Sequence, residues 1–194
     1  MLAVAASRRR PSGAQAWTMA WCGFLLAWDV LSSWMGAHGL HNLWLTYYLQ
    51  PVSVGLVLWT LSIWERGEVA RLAMRLATVP FVVAWVVLTI AFEDTSAFSR
   101  AADPMSDLVA LGAAAFAMLS RSQGSKGDLL RCDWLWVCGG MALYFGSATA
   151  LQPLSALLLA DSPGLVMRAF EVKAVLDIAA FLAIARGVTC KTET

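Results

Sequence analysis

Four ionisable residues interrupt apolar stretches of the sequence and are the first candidates for chemistry. Asp29 lies in the first apolar stretch, and Glu171, Lys173 and Asp177 lie in the last. Lys173 and Asp177 are four residues apart and share one face of a helix, whereas Glu171 is about 160° from Lys173 around the axis. We expect Asp177, Asp29 or both to neutralise Lys173, which would make the first and last stretches neighbours. Such a pair either fixes helix register or lines a proton or solute pathway.

The chain has two histidines, His38 and His41, three residues apart. If their turn were helical, they could share a metal ion or give axial ligands to a haem or a chlorin. A catalytic zinc ion would need a third protein ligand, for which Glu93 and Asp94 are candidates. The sequence favours a water-facing turn with no metal and no cofactor, and a haem, chlorin or metal contact at His38 and His41 is the alternative.

Two nearly identical pentapeptides contain a proline flanked by polar residues. Residues 49–53 read LQPVS and residues 151–155 read LQPLS. A proline inside a helix removes a backbone hydrogen bond, and the neighbouring Gln50, Ser53, Gln152 and Ser155 could satisfy the freed groups. The pattern predicts either two ordinary kinks or one polar recess formed by these four side chains. No nucleophile elbow, HExxH motif or kinase signature occurs, so no enzymatic activity is expected.

The composition indicates whether these residues lie in a soluble domain or in a lipid bilayer. Of the 194 residues, 59% are hydrophobic and 14% are charged, whereas soluble domains carry about 25% charged residues. The mean hydropathy is +0.66. These values exclude an ordinary soluble domain and favour the lipid bilayer as the main partner. The net charge of +1, with scattered basic residues, excludes nucleic-acid binding.

The apolar stretches predict an all-α membrane bundle with six transmembrane helices. A helix needs about 20 mostly apolar residues to cross the hydrocarbon. Six such stretches lie at about 17–36, 42–64, 72–92, 105–120, 133–157 and 164–186, so residues 1–194 form a single integral membrane domain. The fourth is short and alanine-rich, and a re-entrant or peripheral helix is its alternative interpretation.

The distribution of basic residues predicts the orientation. Eleven of the 14 Lys and Arg residues fall on one side of the predicted bundle: Arg8, Arg9, Arg10, Arg66, Arg71, Arg75, Arg121, Lys126, Arg131, Arg186 and Lys191. The positive-inside rule makes that side cytoplasmic, so both termini are expected in the cytoplasm. The acidic segment containing Glu93, Asp94 and Asp103 is then an outer loop. The two pentapeptides and Asp29 fall in the outer half.

The sequence NLWLTY at residues 42–47, followed by Pro51, resembles a signature of small six-span bacterial inner-membrane proteins that have no assigned biochemical role. The resemblance covers the end of the first predicted span and the whole of the second. It implies a six-span fold in the bacterial inner membrane and implies no reaction.

The preferred functional hypothesis is a non-catalytic membrane module. With almost no chain outside the predicted spans, the protein offers a partner mainly its surfaces within the lipid. We therefore expect an accessory subunit of a larger membrane complex, with a respiratory or photosynthetic assembly as candidate host, a membrane sensing module, or a homo-oligomer. The alternative is a small-solute or proton-coupled transporter that uses Asp29, Lys173, Asp177 and the recess at Gln50 and Gln152.

Overall fold

Six helices follow one another along the chain, and no strand occurs in the residues described. The computed structural model describes residues 12–94, 99–123, 132–158 and 163–190, with the backbone alone for 152–158 and 163. The helices are α1 (Gly13–Ala37), α2 (Trp44–Trp64), α3 (Glu68–Phe92), α4 (Ala102–Ser122), α5 (Asp133–Leu158) and α6 (Pro163–Thr189). Each matches one predicted stretch, with ends that differ by a few residues.

Local sequence explains where the first helix begins and ends. Ser12 and Gln15 form a capping box, with 3.3 Å from the Gln15 amide nitrogen to Ser12 Oγ and 3.1 Å from the Ser12 amide nitrogen to Gln15 Oε1. At the other end Gly39 adopts φ 68°, and the Leu40 N–H donates to the Met35 carbonyl at 2.9 Å. This is a Schellman ending, which needs a residue that tolerates the left-handed region.

The fourth helix is longer than its prediction. It starts at Ala102 instead of about 105 and runs for 21 residues, so it is not a short helix. Asp103 lies in its first turn, although the sequence placed this residue in an outer loop. The extension is explained by Glu93 and Ser99, which accept hydrogen bonds from the otherwise unpaired N–H groups of the first turn.

The packing divides into two regions that α4 connects. In one, α5 packs along α6 and against α4; in the other, α2 packs against α1, α3 and α4. α1 and α6 touch through few residues, where Trp21 stacks on Phe181 with 6.5 Å between ring centroids. The helix ends at Ala37, Trp44, Phe92 and Ala102 define what we call the outer end of the bundle, and the opposite ends define the inner end.

Three of the six helices are long and apolar enough to cross a membrane: α3, α4 and the Asp133–Leu151 part of α5. The other three do not reach the same combination of high hydropathy and few charged residues over a long enough window. α1 contains Asp29 and four tryptophans, α2 contains Gln50 and several aromatic residues with polar groups, and α6 contains Glu171, Lys173 and Asp177. The described chain is therefore compatible with a membrane protein.

Candidate functional site: charged groups in the outer half of the bundle

The ion pair predicted from spacing is present on α6. Lys173 Nζ lies 2.6 Å from Asp177 Oδ2. Both side chains face α5, because Ser147 Oγ donates to Asp177 Oδ1 at 3.4 Å and Lys173 Nζ is 5.0 Å from the centroid of the Tyr144 ring. The pair is therefore held by a hydroxyl and by the face of an aromatic ring, which attracts a cation.

Asp29 of α1 approaches the pair from another helix. Its carboxylate is close enough to interact electrostatically with both Lys173 and Asp177, although Asp177 is the direct partner of Lys173. The Asp29 residue itself is exposed, two helical turns beyond the point where α1 meets α6 at Trp21 and Phe181. α1 and α6 thus contribute charged groups to one region, as the sequence predicts.

A further carboxylate comes from α4, which sequence analysis did not select. Asp107 is buried and accepts a 3.1 Å hydrogen bond from Gln50 Nε2 of α2, which is also buried. Asp107 interacts electrostatically with Lys173 and Asp177 and with its neighbour Asp103. The region therefore combines one lysine with carboxylates from three different helices.

A pattern in the sequence could have identified the α4 residues. The buried face of α4 includes a series of residues spaced alternately four and three apart: Asp103, Asp107, Ala110, Ala114, Ala117 and Arg121. This is the spacing of a helix that packs along one face. The small alanines allow close approach, and the charged residues at both ends are buried with them. Starting the predicted helix at residue 105 left Asp103 outside it and concealed the pattern.

Glu171 does not join the other candidate charges. It is exposed on the surface of α6, on the side opposite Lys173, as the 160° separation predicts. Its neighbours on that surface include the exposed Phe170 and Val172. Of the four ionisable residues first selected, the structure brings together Asp29, Lys173 and Asp177.

The residues predicted to form a polar recess are described only in part. Gln50 donates to Asp107, and Ser53 accepts a 3.0 Å hydrogen bond from Trp21 Nε1. Both are buried, so in the first pentapeptide the polar side chains connect α2 to α4 and to α1. The side chains of Gln152 and Ser155 lie outside the described residues.

The two histidines are exposed at the outer end of α1. His38 is the C-cap residue, and the left-handed Gly39 separates it from His41, so the two do not share a helical turn. His38 Nδ1 is 2.8 Å from the Trp34 carbonyl oxygen. Within the described parts of the chain, no three His, Cys, Asp or Glu residues are grouped to hold a metal ion.

Glu93, considered as a third zinc ligand, instead caps α4. Its carboxylate accepts from the N–H groups of Arg100, Ala101 and Ala102 and from the Ser99 hydroxyl, at distances of 2.7–3.0 Å. Burial alone would raise the pKa of Glu93, but these hydrogen bonds outweigh it and lower the pKa below its ordinary value. The carboxylate is therefore kept ionised by the helix that it caps.

A second set of buried charges lies at the inner end. Glu65, Arg121 and Asp133 are all less than one-tenth exposed. Ser120 Oγ donates to Glu65 Oε2 at 2.8 Å, and Gln15 Nε2 is 3.4 Å from Asp133 Oδ2. Sequence analysis assigned Arg121 to a connecting segment, whereas it lies in the last turn of α4. These contacts join the inner ends of α1, α2, α4 and α5.

Comparison with protein-family models, with curated proteins and with solved structures finds no match to this chain.

Proposed function

We propose that the protein is a six-span protein of the bacterial inner membrane with both termini in the cytoplasm. Three helices have the length and apolarity of spans, and the other three have similar lengths of 21–27 residues. Large apolar side chains are exposed along α3 and α6; Val79, for example, is 63% exposed and Leu182 67%. In water such surfaces would be unfavourable, whereas lipid covers them without cost.

For function we propose a small-solute transporter coupled to proton or cation movement. The observation that carries this proposal is the excess of acids around Lys173. An ion pair that only fixes helix register needs one acid and one base. Asp177 is already the acid that pairs with Lys173. Asp29 and Asp107 lie within electrostatic range of the same lysine and require further positive charge when ionised. A proton or a cationic solute could supply it.

The depth of these groups supports the same proposal. Asp29 is eight residues from the outer end of α1, and Lys173 is ten residues from the outer end of α6. At about 1.5 Å per residue, both lie roughly 12–15 Å inside the outer end. Ionisable groups at such depth are characteristic of ion and proton pathways.

The contacts between helices suggest how access would change. At the inner end, Gln15 bonds to Asp133 and to the carbonyl of Cys190, and Glu65 bonds to Ser120. At the outer end, Asp29 is exposed and α1 has little contact with α6. We propose that the outer part of α1 moves relative to the α5–α6 pair during transport, because the hydrogen bonds and ring contacts of α1 with this pair lie at Gln15 and Trp21, on the inner side of Asp29.

Reconstitution in proteoliposomes tests the transport proposal. A panel of small amines, amino acids and sugars is offered across an imposed pH gradient, and uptake and proton movement are measured together. We expect at least one solute to move with protons, and Asp177→Asn to reduce its uptake by tenfold or more at unchanged abundance. Glu171→Gln is the matched control, because Glu171 lies on the other face of the same helix. Equal uptake by wild type and Asp177→Asn would refute the proposal.

The exposed face of α6 favours a second candidate, the accessory or sensing module. Glu171 lies there beside large apolar side chains, and a charge facing lipid is better satisfied by a partner helix. This function would be supported if a stoichiometric membrane partner, or a second copy, were recovered in mild detergent and lost on Glu171→Leu substitution.

The absorption spectrum of the same preparation tests for a haem or chlorin, with His38→Ala and His41→Ala as the variants.

A further inference from the structure

The first two turns of α4 contain a pair of carboxylates that the ion pair on α6 does not neutralise directly. Asp103 and Asp107 are one turn apart on the buried face and are 8% and 3% exposed. Asp107 Oδ1 accepts from Gln50, whereas Asp107 Oδ2 and Asp103 Oδ1 are buried without a hydrogen-bond partner among the described residues. Two carboxylate oxygens are therefore removed from water with no donor.

Among the side chains that the structure describes, none supplies the missing positive charge at contact distance. Lys173 is bonded to Asp177, and Arg121 lies at the other end of α4. Asp103 also repels Asp107 when both are ionised. Two buried carboxylates one turn apart, each with an oxygen that lacks a donor and neither in contact with a counter-charge, are strongly unfavourable when both are ionised. Both therefore cannot remain ionised with nothing bound.

We infer that Asp103, Asp107 and Gln50 form a binding site for one small monovalent cation, H⁺ or Na⁺. Carboxylate oxygens suit a hard cation of this kind, and the hydrogen bond from Gln50 Nε2 holds the Asp107 carboxylate in place. The described residues provide no third acidic or histidine ligand for a divalent ion. One bound positive charge is enough, because Lys173 acts on Asp107 from a distance and offsets part of the second negative charge. The inference rests on the proposed function, in which this would be the site of the coupling ion.

The position of the pair allows exchange with the outer side. Asp103 lies in the first turn of α4, next to the segment that Glu93 caps, and Asp107 is one turn deeper, towards Lys173. A cation entering at Asp103 would therefore reach the groups on α6 through Asp107. The titratable or charged groups that face the pair from neighbouring elements are Tyr47, Glu93, Tyr144, Lys173 and Asp177.

Two measurements on the purified, full-length protein test the site without any solute. Infrared difference spectra recorded as the pH is raised report a protonated carboxyl group through its carbonyl stretching band. Thermal unfolding in NaCl, KCl and choline chloride at equal ionic strength reports a specific Na⁺ effect, because an ion that binds the folded state raises the midpoint. The variants are Asp103→Asn and Asp107→Asn, and Glu68→Gln, an exposed acid at the inner end, is the control.

A carboxyl band that titrates in the wild type and is lost in Asp107→Asn identifies the ion as a proton. A midpoint raised by Na⁺ alone, with the effect lost in Asp107→Asn and retained in Glu68→Gln, identifies it as sodium. A wild-type protein with neither signal overturns the inference, whether or not the variants fold. If a cation binds but no solute is taken up, the cation site is supported and the transport function is refuted. If a solute is taken up but neither signal appears, the transport function is supported and the cation site is refuted.

Discussion

The carboxylate of Glu93 accepts a 2.7 Å hydrogen bond from the backbone N–H of Ala101, across the connection between α3 and α4. The N–H groups of Arg100 and Ala102 donate to the same carboxylate. The first N–H groups of a helix have no partner within it, and the positive end of the helix dipole favours an anion there. Glu93 therefore connects the end of α3 to the start of α4 and fixes the residue at which α4 begins. As a result, Asp103 lies at the start of the buried face of α4.

Substituting Glu93→Gln should destabilise the protein by about 1 kcal/mol at neutral pH, because a neutral amide accepts these hydrogen bonds less strongly. The pKa of Glu93 is lowered in the folded state. The stabilisation that the Glu93 carboxylate gives the folded state is therefore complete at pH values above its pKa in the unfolded chain, near 4.5. That stabilisation is lost as the pH falls through the lower, folded pKa. Unfolding midpoints measured in detergent should converge for wild type and Glu93→Gln on acidification. A difference that stays constant with pH would contradict this account.

Two neighbouring glycines on α5 allow a sharp test of helix packing. A Cβ at Gly140 would lie 2.6 Å from Ile184 Cγ1 and 2.7 Å from the Ala180 carbonyl oxygen of α6, whereas a Cβ at Gly139 would meet nothing within 4 Å. Gly140→Ala should therefore destabilise the protein by about 1–3 kcal/mol through overpacking. Gly139→Ala should be neutral or stabilising by up to about 1 kcal/mol, since alanine favours helix.

Thermal unfolding in detergent compares the two glycine variants directly. Gly187 makes the reciprocal approach from α6, with a Cβ there 2.6 Å from Val137 Cγ2, so Gly187→Ala should behave like Gly140→Ala. If Gly139→Ala were the more damaging substitution, the register of α5 on α6 described here would be wrong.

The sequence predicted the helices well because each is a long apolar stretch bounded by charged or turn residues. It also predicted the Lys173–Asp177 pair, since residues four apart on a helix must be neighbours. It did not predict the burial of Asp107, Glu65 or Arg121. The apolar pattern of a membrane helix does not distinguish lipid from a neighbouring helix, because both are apolar. Which face is buried depends on contacts with helices far away in the sequence.

The hydrogen bond from Trp21 Nε1 to Ser53 Oγ joins α1 to α2 beside a cluster of four aromatic rings. Trp21 is fully buried against Tyr144, Phe145 and Phe181. Ser53→Ala removes only the acceptor and leaves a buried indole N–H without a partner, so we expect a loss of about 1–3 kcal/mol. Ser33→Ala, at an exposed position of α1, should change stability by less than about 0.5 kcal/mol. Denaturant unfolding of both variants measures the difference.

Arg121 provides positive charge to the inner acids. It interacts electrostatically with Asp133, and Arg121, Asp133 and Glu65 all act on the buried Cys138. Arg121→Met keeps an unbranched apolar stem and removes the charge, which should cost about 3–5 kcal/mol because buried carboxylates remain uncompensated. Arg186→Met, exposed in the last turn of α6, is the control. A restored midpoint in the double variant Arg121→Met/Asp133→Asn would show that the charge, and not the packing of the side chain, carries the effect.

The Lys173–Asp177 pair should show energetic coupling that depends on Asp29. In a double-mutant cycle of Lys173→Gln and Asp177→Asn, we expect a coupling energy of about 1–3 kcal/mol. Asp177→Asn alone should be the milder single change, because Asp29 and Asp107 still offer Lys173 negative charge. Repeating the cycle with Asp29→Asn should enlarge the cost of Asp177→Asn, since one of the remaining acids is gone. Unfolding midpoints that respond identically in both backgrounds would show that Asp29 is electrostatically independent of the pair.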